Sequence, residues 1–324
     1  MALSCALQYL HGLTMGTTWS VRVVAPSSWS VDALQRGIQA QLDTVDGQMS
    51  TYKPDSALSI FNAAATGWHP LPAAFFEVLS HAMWLARDSG GAYDPSVGPW
   101  VNLWGFGPTE AIGEPPTAAA LAEAQQRIGW WKIKLDPATR QAFQPGGMQL
   151  DLSSIAKGYG VDQVGRWLDD LGATAWLVEV GGELKAHGMK PDGTPWRIGI
   201  ERPDAPSGAL ERADQLKCVL TLTGRAMATS GDYRRSYQGD AGQVYSHHID
   251  PRSGQPVPHE VASVSVLADE AMQADPLGTT MIILGPEQGL AYARERGLAV
   301  LFIVRGKHGL EERMSPAFAA ALNA

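Results

Sequence analysis

Cysteine is nearly absent: the 324 residues hold only Cys5 and Cys218, and neither sits in a CxxC pair. Zinc knuckles, CxxC redox centres and disulfide frameworks are therefore not expected. No run of about 18 apolar residues exists, so no membrane-spanning helix is expected. There is no basic run with interleaved aromatics, and the net charge is −8, which argues against nucleic-acid binding. The GxGxxG turn of dinucleotide-binding oxidoreductases is missing, and so is the phosphate loop GxxxxGK followed by Ser or Thr. The opening MALSCALQYLHGL has no basic start and too short an apolar run for a secretory leader, so a cytoplasmic location is expected. No repeat of fixed period and no clean linker divides the chain.

Other residues are plentiful. Thirty-five glycines and 21 prolines imply many tight turns and backbone close to a ligand. The 11 tryptophans read mainly as packing. With 45% hydrophobic and 18% charged residues, the chain has the composition of a folded protein with a sizeable core.

Periodicity places the elements. Leu13–Ala25 alternates and is rich in Thr and Val, which predicts a strand, with Gly16 marking a bulge or a close approach of ligand. Val31, Leu34, Ile38, Leu42, Val45 and Met49 recur at helical spacing and predict one buried helix face. A second helix is expected over Ala73–Ser89, with Pro72 at its start, and a third over Thr117–Ile128. Residues 91–108 are too rich in Gly, Pro and aromatics for a regular element and read as a long functional loop. Trp131–Leu135 and Gln141–Gln144 suggest a hairpin. Strands are expected at Trp176–Val180, Trp196–Glu201, Val219–Thr223, Val261–Ala268 and Leu298–Val304. Asp269–Leu284 and Glu287–Arg296 read as helices, and 310–324 as a weak terminal helix.

The densest stretch of chemistry is Asp151-Leu152-Ser153-Ser154-Ile155-Ala156-Lys157-Gly158-Tyr159-Gly160-Val161-Asp162. It opens a helix that Gly172 stops. Free N–H groups at a helix start, with glycines and a lysine, suit phosphate oxygens. A capped surface helix is the plainer reading of the same residues.

Further pieces point one way: MGTTW at 15–19, MSTYKPDSALSIFN at 49–62, YDPSVGPWVNLWGFGP at 93–108, EVGGEL at 179–184, ATSGDY at 228–233, HHIDPRSGQP at 247–256 and ADPLGTT at 274–280. In this order, together with the 151–162 stretch, they closely resemble the ApbE family, the FAD:protein FMN transferases, from about residue 11 to 305. The resemblance implies an α/β (α+β) fold: one T-fold-like body of mixed sheets with flanking helices, which two lobes could share. Residues 1–324 would form a single domain, with 306–324 as a C-terminal tail. It also implies Mg²⁺-dependent cleavage of FAD at its pyrophosphate. FMN would be joined by a phosphoester to a threonine, or a serine, of an acceptor protein, and AMP would leave. The acceptor would carry a Ser/Thr-Gly-Ala-Thr-like site, as in subunits of redox complexes.

The resemblance assigns residues as well. Metal ligands fall on Asp275, Thr279 and the Ser154 carbonyl. Asp275 and Thr279 stand at i and i+4, so one helix face presents both oxygens; helix capping is the alternative. Some relatives carry a second acid where this chain has Gly278. The FAD site falls on Met15, Tyr52, Ala92, Tyr93, Asp94, Asp151 and Lys157. Physically, Tyr52 or Tyr93 can stack on a ring, and Asp94 or Asp151 can accept hydroxyl or ring N–H protons. His247 is the candidate base, with His248 standing where relatives have an aliphatic residue. Its alternative is to bond phosphate or hold the turn. Trp100 and Trp104 are read as packing. Two other functions use the same residues: an FAD pyrophosphatase releasing FMN and AMP, and a non-catalytic FAD-binding protein.

Overall fold

Several strand-forming runs in this chain are paired across two-residue turns, and the long segments between these pairs have to cross over the faces of the sheet. The computed structural model describes residues 5–108, 114–203, 216–231, 236–238, 244–258 and 260–323. Its centre is an eight-stranded sheet in which spatial order follows chain order. The strands are Cys5–Thr14, Thr17–Pro26, Ala175–Val180, Glu183–His187, Arg225–Gly231, Val261–Ala268, Ala299–Gly306 and Gly309–Met314. Every neighbouring pair runs antiparallel.

Among the described residues, eight α-helices accompany the sheet: α1 (Val31–Met49), α2 (Ala57–Ala63), α3 (Ala73–Asp88), α4 (Gly98–Leu103), α5 (Ala118–Gln125), α6 (Ala156–Asp170), α7 (Ala271–Arg296) and α8 (Pro316–Leu322). Of these, α1, α3, α6 and α7 cover one of its faces. Leu34, Ile38 and Leu42 of α1 pack with Val161, Val164 and Leu168 of α6 against the first three strands. Phe75 and Val78 of α3 and Met281 of α7 pack with Val264, Val266 and Phe302. Side chains of this size contribute about 1.5–3 kcal/mol each when fully buried. The other face is closed by α8 and a hairpin, Trp196–Glu201 with Leu216–Leu222, which buries Trp196, Ile198 and Phe318. Among the described residues, no helix is long and apolar enough to cross a membrane.

Sequence and structure differ where a turn hides inside a pattern. The alternating run from Leu13 onward is two strands, because Met15 (φ 46°) and Gly16 (φ 71°) make a left-handed two-residue turn and close Thr14 on Thr17. Of the predicted α1 face, Val31 is exposed, since it stands in the first turn, ahead of the packed stripe. The two predicted helices of 269–296, by contrast, are both present: α7 consists of two helical stretches parted at Gly285 (φ 72°, ψ 174°), before Pro286. The predicted terminal helix is a strand, Gly309–Met314, followed by the short α8. Trp100 and Trp104 are packing residues: both are buried, and their indole N–H groups donate to Leu121 O and Gly254 O.

Candidate active site

The start of α6 has a deficit. Its N-cap residue, Ile155, has no side-chain acceptor for the free N–H groups of the first turn. Asp275 of α7 supplies one, its Oδ2 accepting from Gly158 N at 3.0 Å. The arrangement is reciprocal. Asp162 of α6 accepts from the first two N–H groups of α7, Ala271 N at 3.0 Å and Met272 N at 2.8 Å. Each helix thus caps the other, and both caps lie in the interior, where an unmet N–H is costly. Glycine permits the approach: a Cβ on residue 158 would lie 2.3 Å from Ala271 O.

A cavity of about 700 Å³ opens over this crossing. Of the residues singled out in the sequence, Met15, Tyr52, Tyr93, Asp94, Asp151, Ser154, Lys157, His247, Asp275 and Thr279 line it. Ala92 is fully buried and is not part of the lining. Asp232 and Tyr233 of the ATSGDY motif, and His259, lie outside the described residues.

Lys157 Nζ stands 3.5 Å from Glu183 Oε1 and 3.6 Å from Asp275 Oδ1, and donates to Ser153 O. Burial alone would lower its pKa, but Asp275 and Glu183 outweigh it and the net shift is upward, so the ammonium stays charged. Ser154 Oγ donates to Tyr93 Oη at 3.3 Å. Burial pushes the Tyr93 phenol upward, so it stays neutral. Asp94 is engaged internally: Oδ1 accepts from Ser96 N and Oγ, and Oδ2 from Trp130 N. Burial raises its pKa against those bonds. Asp151 Oδ1 accepts from Ser153 N, and its own N–H donates to Pro95 O, which joins the 91–108 segment, where α4 stands in place of the expected irregular loop, to the start of α6. Tyr52, 57% exposed at the rim, donates to Phe106 O across the mouth. The lining holds five carboxylates (Asp46, Asp94, Asp151, Glu183, Asp275) against two lysines (Lys53, Lys157). Three of these acids, Asp94, Glu183 and Asp275, are buried, and an excess of acids in a cavity this size favours a cation.

The rings of His247 and His248 lie close, with centroids 3.9 Å apart and planes tilted by 42°, and His247 also meets Phe106 edge-on. His248 is buried, and its Nδ1 lies 3.3 Å from Ser246 Oγ. Burial, then His247 beside it, hold the His248 imidazole well below its usual range, so it is neutral. The unfolded chain titrates there near pH 6.5. Below that pH the unfolded state binds a proton that the folded state refuses. The stability is complete above about pH 6.5 and falls on acidification, by up to about 1.4 kcal/mol per unit. Urea unfolding at pH 7.5 and 5.5 checks this. His248→Leu is expected to shrink the loss, and an undiminished loss in the variant would count against it.

Gly278 is tight against the sheet, and an acid there would require Ser230 to turn away. A Cβ there would lie 2.6 Å from Ser230 Oγ on the fifth strand. Among the described residues no group of three or more His, Cys, Asp and Glu has metal-binding spacing, so any ion here would be held by a mixed set of hard oxygens. Sequence reasoning passed over Glu183 and Asp162, although both stand inside quoted motifs. Glu183 was signalled by the two glycines before it, which turn the chain tightly and aim the carboxylate at Lys157. Asp162 stands four residues after Gly158, on the same helix face.

The family model described as the ApbE family matches residues 15–302. A relative from Haemophilus influenzae named FAD:protein FMN transferase is 41% identical, over 95% of this chain and 90% of its own length. One of the same name from Klebsiella pneumoniae is 39% identical, over 95% and 87%. The apo crystal structure of Pseudomonas stutzeri flavinyl transferase ApbE superposes with a TM-score of 0.87 at 38% identity, covering 100% of this chain and 99% of that one. The flavin transferase ApbE from Vibrio cholerae gives 0.88 at 35% identity, covering 98% and 100%. With its sequence matched from the first hairpin turn to the seventh strand, and its fold matched throughout, this chain belongs to the ApbE family.

Proposed function

We propose that this enzyme transfers FMN from FAD to a threonine, or a serine, hydroxyl of an acceptor protein. The hydroxyl oxygen forms a bond to the FMN phosphorus, the pyrophosphate P–O bond breaks, and AMP leaves with the electron pair. The observation that carries the proposal is the acid-lined cavity at the crossing of α6 and α7, with Lys157 held beside Asp275. The names of the relatives supply the reaction class.

The donor set fits Mg²⁺. Asp275, the Thr279 hydroxyl and the Ser154 carbonyl would hold it, all hard oxygens, with room left for water and phosphate. When bound, Mg²⁺ neutralises pyrophosphate charge that five carboxylates would otherwise repel. Lys157 contacts the phosphates as a fixed charge. Tyr52, at the rim, stacks on a ring, and Tyr93 stays a neutral hydrogen-bonding partner. Met15 closes the end of the cavity on the turn of the first hairpin. His247 takes the proton from the incoming hydroxyl, and Phe106 and His248 fix the plane of its ring. The acceptor would be a subunit of a redox complex carrying a Ser/Thr-Gly-Ala-Thr-like site.

The test is mass spectrometry of an acceptor domain with that site after incubation with enzyme, FAD and Mg²⁺. A gain of one FMN on the threonine, abolished by EDTA, is expected. Free FMN and AMP without a labelled acceptor would replace the proposal with FAD hydrolysis. Intact FAD retained by the protein would replace it with a flavin-binding role.

A further inference from the structure

We infer that Asp162, which lies outside the cavity lining, is a positioning residue that sets where Asp275 stands; this rests on the metal-holding role proposed for Asp275. Gly158 and Asp162 are one helical turn apart on α6, and each grips α7. Gly158 N donates to Asp275 Oδ2, while the two Asp162 oxygens take one N–H each, from Ala271 and Met272. Those residues are the first two of α7, and Asp275 follows one turn later. The two grips therefore fix both the height and the rotation of the turn that carries Asp275.

Asp162 is itself held. Its side chain is completely buried, and Lys185 Nζ from the fourth strand lies 3.6 Å from Oδ1 and 2.7 Å from Glu270 Oε2. Lys185 thus ties the α7 N-terminus and α6 to the sheet. Glu270 and Gln273 complete a capping box on the same turn of α7. Burial, then the Glu270 carboxyl beside it, push the Asp162 pKa up to about 7 against its two backbone donors. Both of its oxygens accept from α7 N–H groups, so an asparagine cannot replace it. An amide offers one acceptor oxygen, so one of the two α7 N–H groups would face an NH₂ group. The first turn would have to rotate or fray, and Asp275 with it. Partners that orient a metal ligand are worth roughly 10–100-fold in metal affinity.

The probe is Mn²⁺ alone, titrated into full-length protein at 20 °C and followed by loss of the free-ion EPR signal. Asp162→Asn is expected to weaken Mn²⁺ binding about tenfold or more and to speed exchange of the Gly158 amide. Asp88→Asn is the comparator. It loosens the other end of α7, where Asp88 bonds Tyr292 and Arg296, and is expected to lower Tm without moving Mn²⁺ affinity. Should Asp162→Asn fail to fold, Lys185→Met keeps both N–H bonds to Asp162 and is expected to weaken Mn²⁺ about threefold. Wild-type binding matched by the folded variant within twofold would overturn the inference and leave the metal site standing. Absence of Mn²⁺ binding in the wild type would overturn both.

Discussion

Asp275→Asn is expected to lower kcat/KM for FAD cleavage by about 10³-fold or more, roughly 4 kcal/mol of transition-state stabilisation, while the fold survives. Asparagine keeps an oxygen for Gly158 N, so the cap on α6 persists. The charge is what goes. The proposed metal loses its one carboxylate, and Lys157 is left with Glu183 as its remaining ion-pair partner at this site. A neutral ligand on a hard divalent cation, in a cavity that must also take two phosphates, removes the largest electrostatic contribution available. AMP release measured by chromatography, alongside a thermal melt within a few degrees of wild type, checks it. Residual activity above about a tenth would show that Asp275 is a helix cap and not a metal ligand.

Gly158→Ala is expected to cost both stability and activity, against the ordinary preference of helices. Alanine in a helix interior normally gains up to about 1 kcal/mol over glycine. Here the new Cβ would stand 2.3 Å from Ala271 O, 2.6 Å from Ala271 C and 2.9 Å from Asp275 Cβ. Two of these neighbours are backbone atoms, which cannot swing aside, so α6 and α7 must part. Overpacking of this kind costs about 1–3 kcal/mol, or a Tm several degrees lower. A shift of about 1 Å at a catalytic ligand can cost about 10²-fold in rate. Gly47→Ala in α1, where a Cβ meets nothing within 4 Å, is the control and is expected to be neutral or stabilising. A Gly158→Ala variant as stable and as active as that control would show that the helices are not in tight contact.

How far the sequence could be read follows from which interactions are local. The α1 stripe, the start of α5 and the Gly172 stop of α6 are set within a few residues, and pattern reading finds them. The strands Glu183–His187 and Arg225–Gly231 carry mixed polar and small residues, and only their place between neighbours in the sheet makes them strands. The motifs marked the cavity because they bunch polar residues at turns. What they could not show is partnership. Asp162 and Lys185 stand 23 residues apart, and Asp162 lies 109 from Ala271. Nor could the motif show that His248 is buried and kept neutral while His247 beside it stands partly in the open.

The exchange of caps between α6 and α7 makes the proposed catalytic centre indivisible. A cut anywhere between residues 171 and 270 would leave each helix on one fragment and its capping carboxylate on the other, with Lys157 parted from Asp275 by the same stroke. On the ribosome, α6 emerges with its first turn open and stays so until more than a hundred further residues have followed, because its cap is 117 positions downstream. Neither half of the gene encodes a rudimentary catalyst that the other could later improve, and the site exists only as a joint product of the two.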